Sequence, residues 1–355
     1  MKTKKRDTRY CGVRQEVIEN AEPTLNWEAV YHFKTFVTDR YRIHKRKDIK
    51  QLPAPWTKNP ILREYRFTNV RREHDRQTRY LISHISRNLT MTLEDKIVNT
   101  FLFRAWNNWD TLRDFGFPYP AVALYNPELK EKLRRRFYSL QNVQPGRLWY
   151  NNAYNQGGTK QAWRRLSEDS EIEYDIPLRP FHVGVWLGEQ KIVEQLLNAK
   201  DQQEAFEIIK SVRGFADFLA YQVFVDLTYI KEFPFSENEF TIAGPGCKRG
   251  LDHIFINKDG MTYEECIFWL RDNINTELLA DSLFNSEELD DWSRLNQQFN
   301  PVYNPDKLFN DLPEHDRCMN VMSLENCMCE LSKYIKAVKG TGRPKNKYKP
   351  YKEDK

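Results

Sequence analysis

Apolar residues recur along most of this chain at the three-and-four spacing of an α-helix. From Asn26 to Arg46, Trp27, Val30, Phe33, Val37 and Tyr41 form one stripe, with basic residues gathered at the C-terminal end, where a helix dipole favours them. Pro60 suits the first position of a helix, and Ile61–Ser86 runs on without Gly or Pro, which predicts one long helix or two abutting ones. Thr92 is placed to cap a helix reaching Trp106, with Glu94 and Asp95 in its first turn. Asn107–Asn126 contains Gly116, Pro118 and Pro120 and reads as a connection before another helix at Pro127–Leu140.

The pattern then changes. Gln141–Pro180 combines Pro145, Gly146, Gly157, Gly158, Pro177 and Pro180 with several Tyr and Asn, which predicts a long irregular insertion of the kind that often carries function. Helical spacing returns at Glu189–Asn198, Gln202–Val212, Gly214–Ile230, Thr262–Ile274, Glu287–Gln297 and Met322–Val338. The expected fold is mainly α with few or no sheets. It is laid out as a basic N-terminal segment (1–25), a helical domain (26–338, divisible into two lobes near 141–180) and a basic flexible tail (339–355).

Composition narrows the class. The mean hydropathy is −0.76, yet 14% of the 355 residues are aromatic, which disordered chains are not. No apolar run approaches the roughly 18–20 residues of a membrane span, and no apolar stretch follows the basic start MKTKKRDTRY, so neither a membrane nor a secreted protein is expected. The six Cys contain no CxxC pair and suggest a reducing compartment: a cytoplasm, that of the host cell if the source is viral, or a nucleus. The net charge of +5 conceals a division along the chain. Residues 1–147 carry 30 Lys and Arg against 16 Asp and Glu, residues 148–331 carry 16 against 32, and residues 332–355 carry 9 against 2. Such clustering favours a polyanionic partner, above all nucleic acid, over a merely solvated surface.

Several chemistries are excluded by spacing. There is no GxxxxGK[ST] phosphate loop, no GxGxxG, no HExxH or other zinc spacing and no GxSxG elbow. What remains is a set of polar constellations. On the predicted helix within PWTKNPILREYRFTNVRREHDR (55–76), Arg66, Asn69, Glu73 and Arg76 would share one face and Arg72 and Asp75 an adjoining one, joining forked donors to carboxylates. In FLFRAWNNWDTL (101–112), Arg104 and Asn107 lie one turn apart beside two Trp that could stack on an extruded base or simply pack. The loop from Trp149 to Gly158 offers Tyr154 and Gln156 beside two glycines for uncharged recognition, or is an ordinary polar turn.

In GFADFLAYQVFVDLTY (214–229) a glycine turn precedes a helix on which Gln222 and Asp226 can face one pocket. A helix, a glycine turn, a helix and then an acid about 25 residues on resembles the helix-hairpin-helix DNA glycosylase layout. There the acid facing the flipped base falls near Glu239. FTIAGPGCKRGL (240–251) adds Gly244, Gly246, Lys248 and Arg249 as a DNA-contacting loop, and LENCMCELSKY (324–334) places Glu330 and Lys333 one turn apart as an acid–base pair or a surface salt bridge.

Taken in order, these blocks and the GRPKNKY continuation (342–348) resemble the helical, glycosylase-related proteins of thymine hypermodification: the helical domain of 5-hydroxymethyluracil DNA kinases and the related glutamyl/putrescinyl-thymine pyrophosphorylases. The resemblance implies a phage-type DNA-modification enzyme that flips a nucleotide into a helical pocket. Without a P-loop, the expected activity is an amine:DNA transferase and not a P-loop kinase: pyrophosphate on a 5-hydroxymethyluracil-derived base is replaced by an amino acid or polyamine. In that scheme Arg66, Arg72, Arg76 and Lys333 stabilise the leaving group, Asp226, Glu239 or Glu330 takes a proton, and Asn69, Asn107 and Gln222 read the base. No cofactor is required, although Mg²⁺ would suit the pyrophosphate. Expected partners are DNA, the amine co-substrate and a separate DNA-base kinase, with a glycosylase-like activity or a non-catalytic kinase-partner module as alternatives.

Overall fold

The computed structural model describes residues 12–145, 147, 149, 179–236, 238–273, 319–342, 344 and 347. The protein is mainly helical and divides into two compact units, one formed by Met1–Asp75 with Glu237–Lys355 and the other by Arg76–Ser236. In sequence the two units meet at Asp75/Arg76 and Ser236/Glu237.

The first unit opens with α1 (Gln15–Asn20) and a short strand β1 (Thr24–Leu25). This part of the N-terminal segment is no loose tail, because the Arg14 guanidinium donates to both carboxylate oxygens of Glu265 at 2.8 and 2.7 Å. In α2 (Trp27–His44) the Asn26 side chain accepts from the Ala29 N–H, and Val30, Phe33, Val37 and Tyr41 are buried as the stripe predicts. Trp27, counted in that stripe, is exposed.

The long helix expected over Ile61–Ser86 does not form. α3 (Pro60–Glu64), capped by the Asn59 side chain, stops at Tyr65, whose backbone bridges to Lys347 in the segment expected to be a free tail. A single 3-10 turn follows at Arg72–His74. Asn69 bends the chain between them: its Oδ1 accepts from Arg40 at 2.6 Å, and its Nδ2 donates to the His74 carbonyl at 3.1 Å and to Asp75 at 2.9 Å. Asn and Asp side chains offer the backbone such local partners in competition with the helical ladder, and here they win. Arg66, Asn69, Glu73 and Arg76 consequently share no helical face.

The second unit begins with α4 (Arg76–Leu81), extended by a π turn at Ile82–Ser86, and α5 (Leu93–Trp106). Thr92 and Asp95 form a reciprocal capping box, and Asn107 closes α5 in the left-handed conformation at φ 48°. The supposed connection contains α6 (Trp109–Asp114), capped by Asn108, and α7 (Ala121–Leu124). Four to six residues are too few to show a helical period, so the two were illegible. α8 (Pro127–Val143) buries Leu133 and Phe137, half-buries Leu129 and Leu140, and exposes most of its other described positions. α9 (Arg179–Glu189), α10 (Ile192–Asn198), α11 (Gln202–Ser211) and α12 (Asp217–Thr228) complete the unit. Gly214, at φ +87°, makes the turn between α11 and α12. α5 packs against α9 and α12, and Phe101, Trp106, Leu196, Val223 and Phe224 are fully buried.

The chain then returns to the first unit through α13 (Pro245–Ile254), β2 (Phe255–Asn257), α14 (Tyr263–Asn273) and α15 (Val321–Val338). β1 and β2 pair antiparallel with Leu25 opposite Phe255. α13 occupies a stretch read as a loop. Its glycines serve packing: a Cβ on Gly250 would collide with the Met328 carbonyl, and one on Gly246 with the Cys329 sulfur, so the two helices touch almost backbone to backbone. Phe33, Phe36, Leu251, Ile267, Met328 and Leu331 lie in this unit's core. The helix expected at Glu287–Gln297 lies outside the described residues, as does most of 141–180.

Candidate functional site

In the first unit three segments far apart in sequence meet around one carboxylate. Glu325, on the first turns of α15, accepts the Gly244 N–H at 3.3 Å, at the residue that opens α13. Burial pushes its pKa from 4.5 up to about 7, against the stabilising pull of the Gly244 amide and of Arg72, which lies within electrostatic range on its 3-10 turn. A carboxyl poised near neutrality within the field of a guanidinium can take or give a proton at physiological pH.

One residue on along α15, Asn326 donates to the Thr68 hydroxyl at 3.2 Å and the Asn69 carbonyl at 3.3 Å, tying the 66–75 segment to the helix. Glu330 is buried and accepts from the exposed Lys333 at 2.6 Å. Burial opposes the Lys333 charge, yet the Glu330 carboxylate holds its pKa above the ordinary value. Burial likewise raises Asp75 despite hydrogen bonds from Asn69 and the charges of Arg40 and Arg72. Arg66 is exposed nearby and contributes to the field at Arg40, itself lowered by burial. Of the residues singled out from sequence, Arg66, Asn69, Arg72, Asp75, Gly244, Glu330 and Lys333 belong to this neighbourhood. Asn69 is engaged internally through both amide ends, which makes it a scaffold for the turn where a base-reading group was expected. Gly246 packs against Cys329 where a DNA-contacting position was expected.

A second polar cluster lies within the second unit. Arg104 grips Asp226 with two donors, Nε to Oδ2 and Nη2 to Oδ1 at 2.8 Å, while Nη1 donates to Asn107 Oδ1 at 2.9 Å and Nη2 reaches the Thr78 hydroxyl at 3.3 Å. Arg104, Asn107, Asp226 and Thr78 are all buried. An Asp held in this way ties α5 to α12, whereas the expected roles were general base for Asp226 and DNA contact for Arg104 and Asn107. Gln222 is also buried on α12. Trp106 is fully buried, and Trp109 stacks on Tyr80 with ring centroids 5.6 Å apart, so the two Trp are packed where base stacking was expected.

The other expected positions are dispersed. Arg76 pairs with Asp110 at 3.2 Å on the second unit's surface. Glu239 is half-buried next to Asn238, whose side chain accepts the Val321 N–H at 3.0 Å at the start of α15. Lys248 lies 5.4 Å over the Tyr263 ring, and Arg249 is exposed one residue on. Tyr154 and Gln156 lie outside the described residues. Among the described residues no three His, Cys, Asp or Glu converge to hold a metal ion, and no helix is long and apolar enough to cross a membrane. Cys247, Cys266, Cys327 and Cys329 are free thiols; burial pushes Cys329 up to about 11, far from thiolate chemistry at neutral pH.

Glu325 and Arg40 were missed by sequence reasoning. Glu325 carried no signal in the sequence, since its place on the face of α15 that meets the glycines of α13 emerges only from the packing of the two helices. The Asn326–Glu330 face drew attention because it joins an amide to an acid–base pair.

Comparison with known proteins bears on these arrangements. Residues 28–343 match the family described as "5-hmdU DNA kinase, helical domain", 5-hmdU being 5-hydroxymethyl-2′-deoxyuridine. The 5-hmdU DNA kinase of Bacillus phage SP10 is 26% identical over 311 residues, covering 84% of this chain and 44% of its own length. The chain thus spans less than half the length of that curated relative. No solved structure matches. These findings correct the expectation of an amine transferase set against a kinase, because the relative is itself named a kinase. The missing GxxxxGK[ST] describes these 355 residues only; a helical part of a kinase has no need to carry the phosphate loop itself. With nearly its whole length matched, the chain belongs to the family of 5-hmdU DNA kinase helical domains.

Proposed function

We propose that this chain engages DNA and presents 5-hydroxymethyluracil for phosphorylation, as the base-handling part of a DNA kinase. The observation that carries the reading is Glu325, with a pKa raised by burial to about 7, bonded to the Gly244 amide and within the field of Arg72, in the unit where three of the family-like sequence blocks meet. In phosphoryl transfer the protein mainly positions the nucleophile and stabilises charge. The 5-hydroxymethyl oxygen attacks the terminal phosphorus of a nucleoside triphosphate; a new O–P bond forms as the bond to the bridging oxygen breaks and the diphosphate leaves. Glu325 receives the hydroxyl proton, and Arg72 offsets the charge that develops beside it. The donor nucleotide and its Mg²⁺ belong to a kinase component, since the phosphate-loop spacing is absent from this sequence.

The test is equilibrium binding of two duplexes that differ at one base, thymine against 5-hydroxymethyluracil, followed by fluorescence anisotropy at fixed salt. One additional specific polar contact predicts a preference for the hydroxymethylated duplex of roughly tenfold. Equal affinity for both would sink the reading.

A further inference from the structure

A groove in the second unit has no part in the chemistry above. It runs between α8 and the turn that ends α6, encloses about 690 Å³, and is lined by Arg113, Lys132, Arg135 and Arg136 with Ser139 and a floor that includes Phe115, Leu133 and Tyr119. Four cations face a single lining carboxylate, Asp114. That carboxylate is itself held by Arg147, which lies 4.5 Å over the Trp149 ring. Acids outside the groove answer two of the cations in part: Asp110 is 3.5 Å from Arg113, and Glu131 is 3.3 Å from Arg135. An excess of positive charge remains; burial raises the pKa of the Tyr119 phenol, and Arg136 is close enough to oppose that rise in part.

The arrangement is linear. Lys132, Arg135, Arg136 and Ser139 fall at i, i+3, i+4 and i+7 of α8, one stripe about 10 Å long, on a helix anchored by the buried side chains of Leu133, which also lines the groove, and Phe137. The opposite wall is fixed as well: Gly116 turns at φ +84°, and the Tyr119 hydroxyl donates to the Phe115 carbonyl at 2.7 Å. No Asn or Gln amide lines the groove, so it lacks the paired donor and acceptor that read a base edge. Cations and a hydroxyl in a row on a fixed wall match successive phosphates of a strand.

We propose that this groove binds the phosphodiester backbone of DNA without regard to sequence. The proposal rests on the reading that the chain engages DNA but not on the choice of base, so the two can fail separately.

The experiment measures duplex affinity by anisotropy across a salt series for the wild-type chain, for Lys132→Ser/Arg136→Ser, and for the charge-preserving Lys132→Arg. All three substitutions lie on exposed positions, and thermal unfolding checks that each variant folds. The double variant is expected to lose about tenfold in affinity and to shallow the slope of log K against log salt by about 1.8, two phosphate contacts at about 0.9 each, equally on thymine and hydroxymethyluracil duplexes. Lys132→Arg should keep the wild-type slope. An unchanged slope in a folded double variant overturns the proposal. So does loss of ATP binding with duplex binding intact, which would make the groove a nucleotide site. A hydroxymethyluracil preference absent from the wild type but accompanied by the expected change of slope would remove the base-handling reading and leave the groove standing.

Discussion

Glu325 accepts a hydrogen bond from the backbone of Gly244, 81 residues away, across the contact of α13 and α15. The bond exists because Gly246 and Gly250 let the two helices approach so closely that the carboxylate meets the opening of α13. Packing and electrostatics are thus one feature here: the glycines that close the helix pair also desolvate the carboxyl and lift its pKa.

Titration of Glu325 should be visible in stability. Its folded pKa of about 7 lies above the ordinary 4.5, so the neutral form is the one the fold prefers. The contribution is present in full below pH 4.5 and is lost as pH rises through 7, to a total of at most about 3 kcal/mol. Glu325→Gln should therefore match the wild type near pH 4.5 and exceed it at pH 8. Urea unfolding at both pH values decides, and a difference independent of pH would show that the carboxyl titrates normally.

Two Gly→Ala substitutions in the first unit separate contact from conformation. At Gly250 the new methyl meets the Met328 carbonyl, a backbone atom that cannot rotate away, and the cost should be about 3 kcal/mol. At Gly260 the space is open within 4 Å and only φ +77° is unfavourable, costing about 1 kcal/mol. Denaturation midpoints give both values; a Gly260 variant as damaged as the Gly250 one would remove the packing explanation.

The sequence made legible whatever repeats over several turns. The stripe of α2, the Thr92 cap and the helices at Gln202–Val212 and Met322–Val338 all follow from local period and end signals. The Ile61–Ser86 helix failed because an uninterrupted run without Gly or Pro permits a helix but does not compel one. The Asp75 carboxylate accepts the Asn69 backbone N–H, the Asn69 amide donates to the His74 carbonyl, and Arg40, nearly thirty residues earlier, completes the turn. For the same reason the candidate site was only half visible. Arg72 and Glu330 were chosen for their chemistry, while Glu325 acquires its role from Gly244, a partner that no spacing rule connects to it.

The Arg104–Asp226 pair should behave as a buried structural tie. Removing the guanidinium by Arg104→Ala leaves Asp226 charged and enclosed, and the expected loss is about 3–5 kcal/mol. Replacing both partners by Arg104→Met and Asp226→Leu should recover most of that loss, because no charge is then stranded. A double-mutant cycle in urea measures the coupling. Activity on DNA should follow stability in each variant, and a folded Asp226→Asn protein that binds hydroxymethyluracil duplex normally yet supports no modification would restore Asp226 as a catalytic acid.

The Arg14–Glu265 pair has the opposite dependence on pH from Glu325. Hydrogen bonds from the Arg14 side chain lead the causes that depress Glu265 from 4.5 to about 2, against burial. A depressed carboxylate contributes its stability above the unfolded value and loses it as pH falls through the folded one, here between 4.5 and 2. The Arg14 side chain is half exposed, so screening by water and salt reduces the effect below what the shift alone implies. Arg14→Gln should therefore be less stable than the wild type at pH 7, with the gap shrinking at pH 3.5 and in 1 M salt. Because Arg14 also anchors the start of α1 to α14, the variant should expose residues 12–20 to limited proteolysis at pH 7 while the second unit stays protected. A gap that persists undiminished at low pH and high salt would mean that Arg14 acts through packing of its stem and not through its charge.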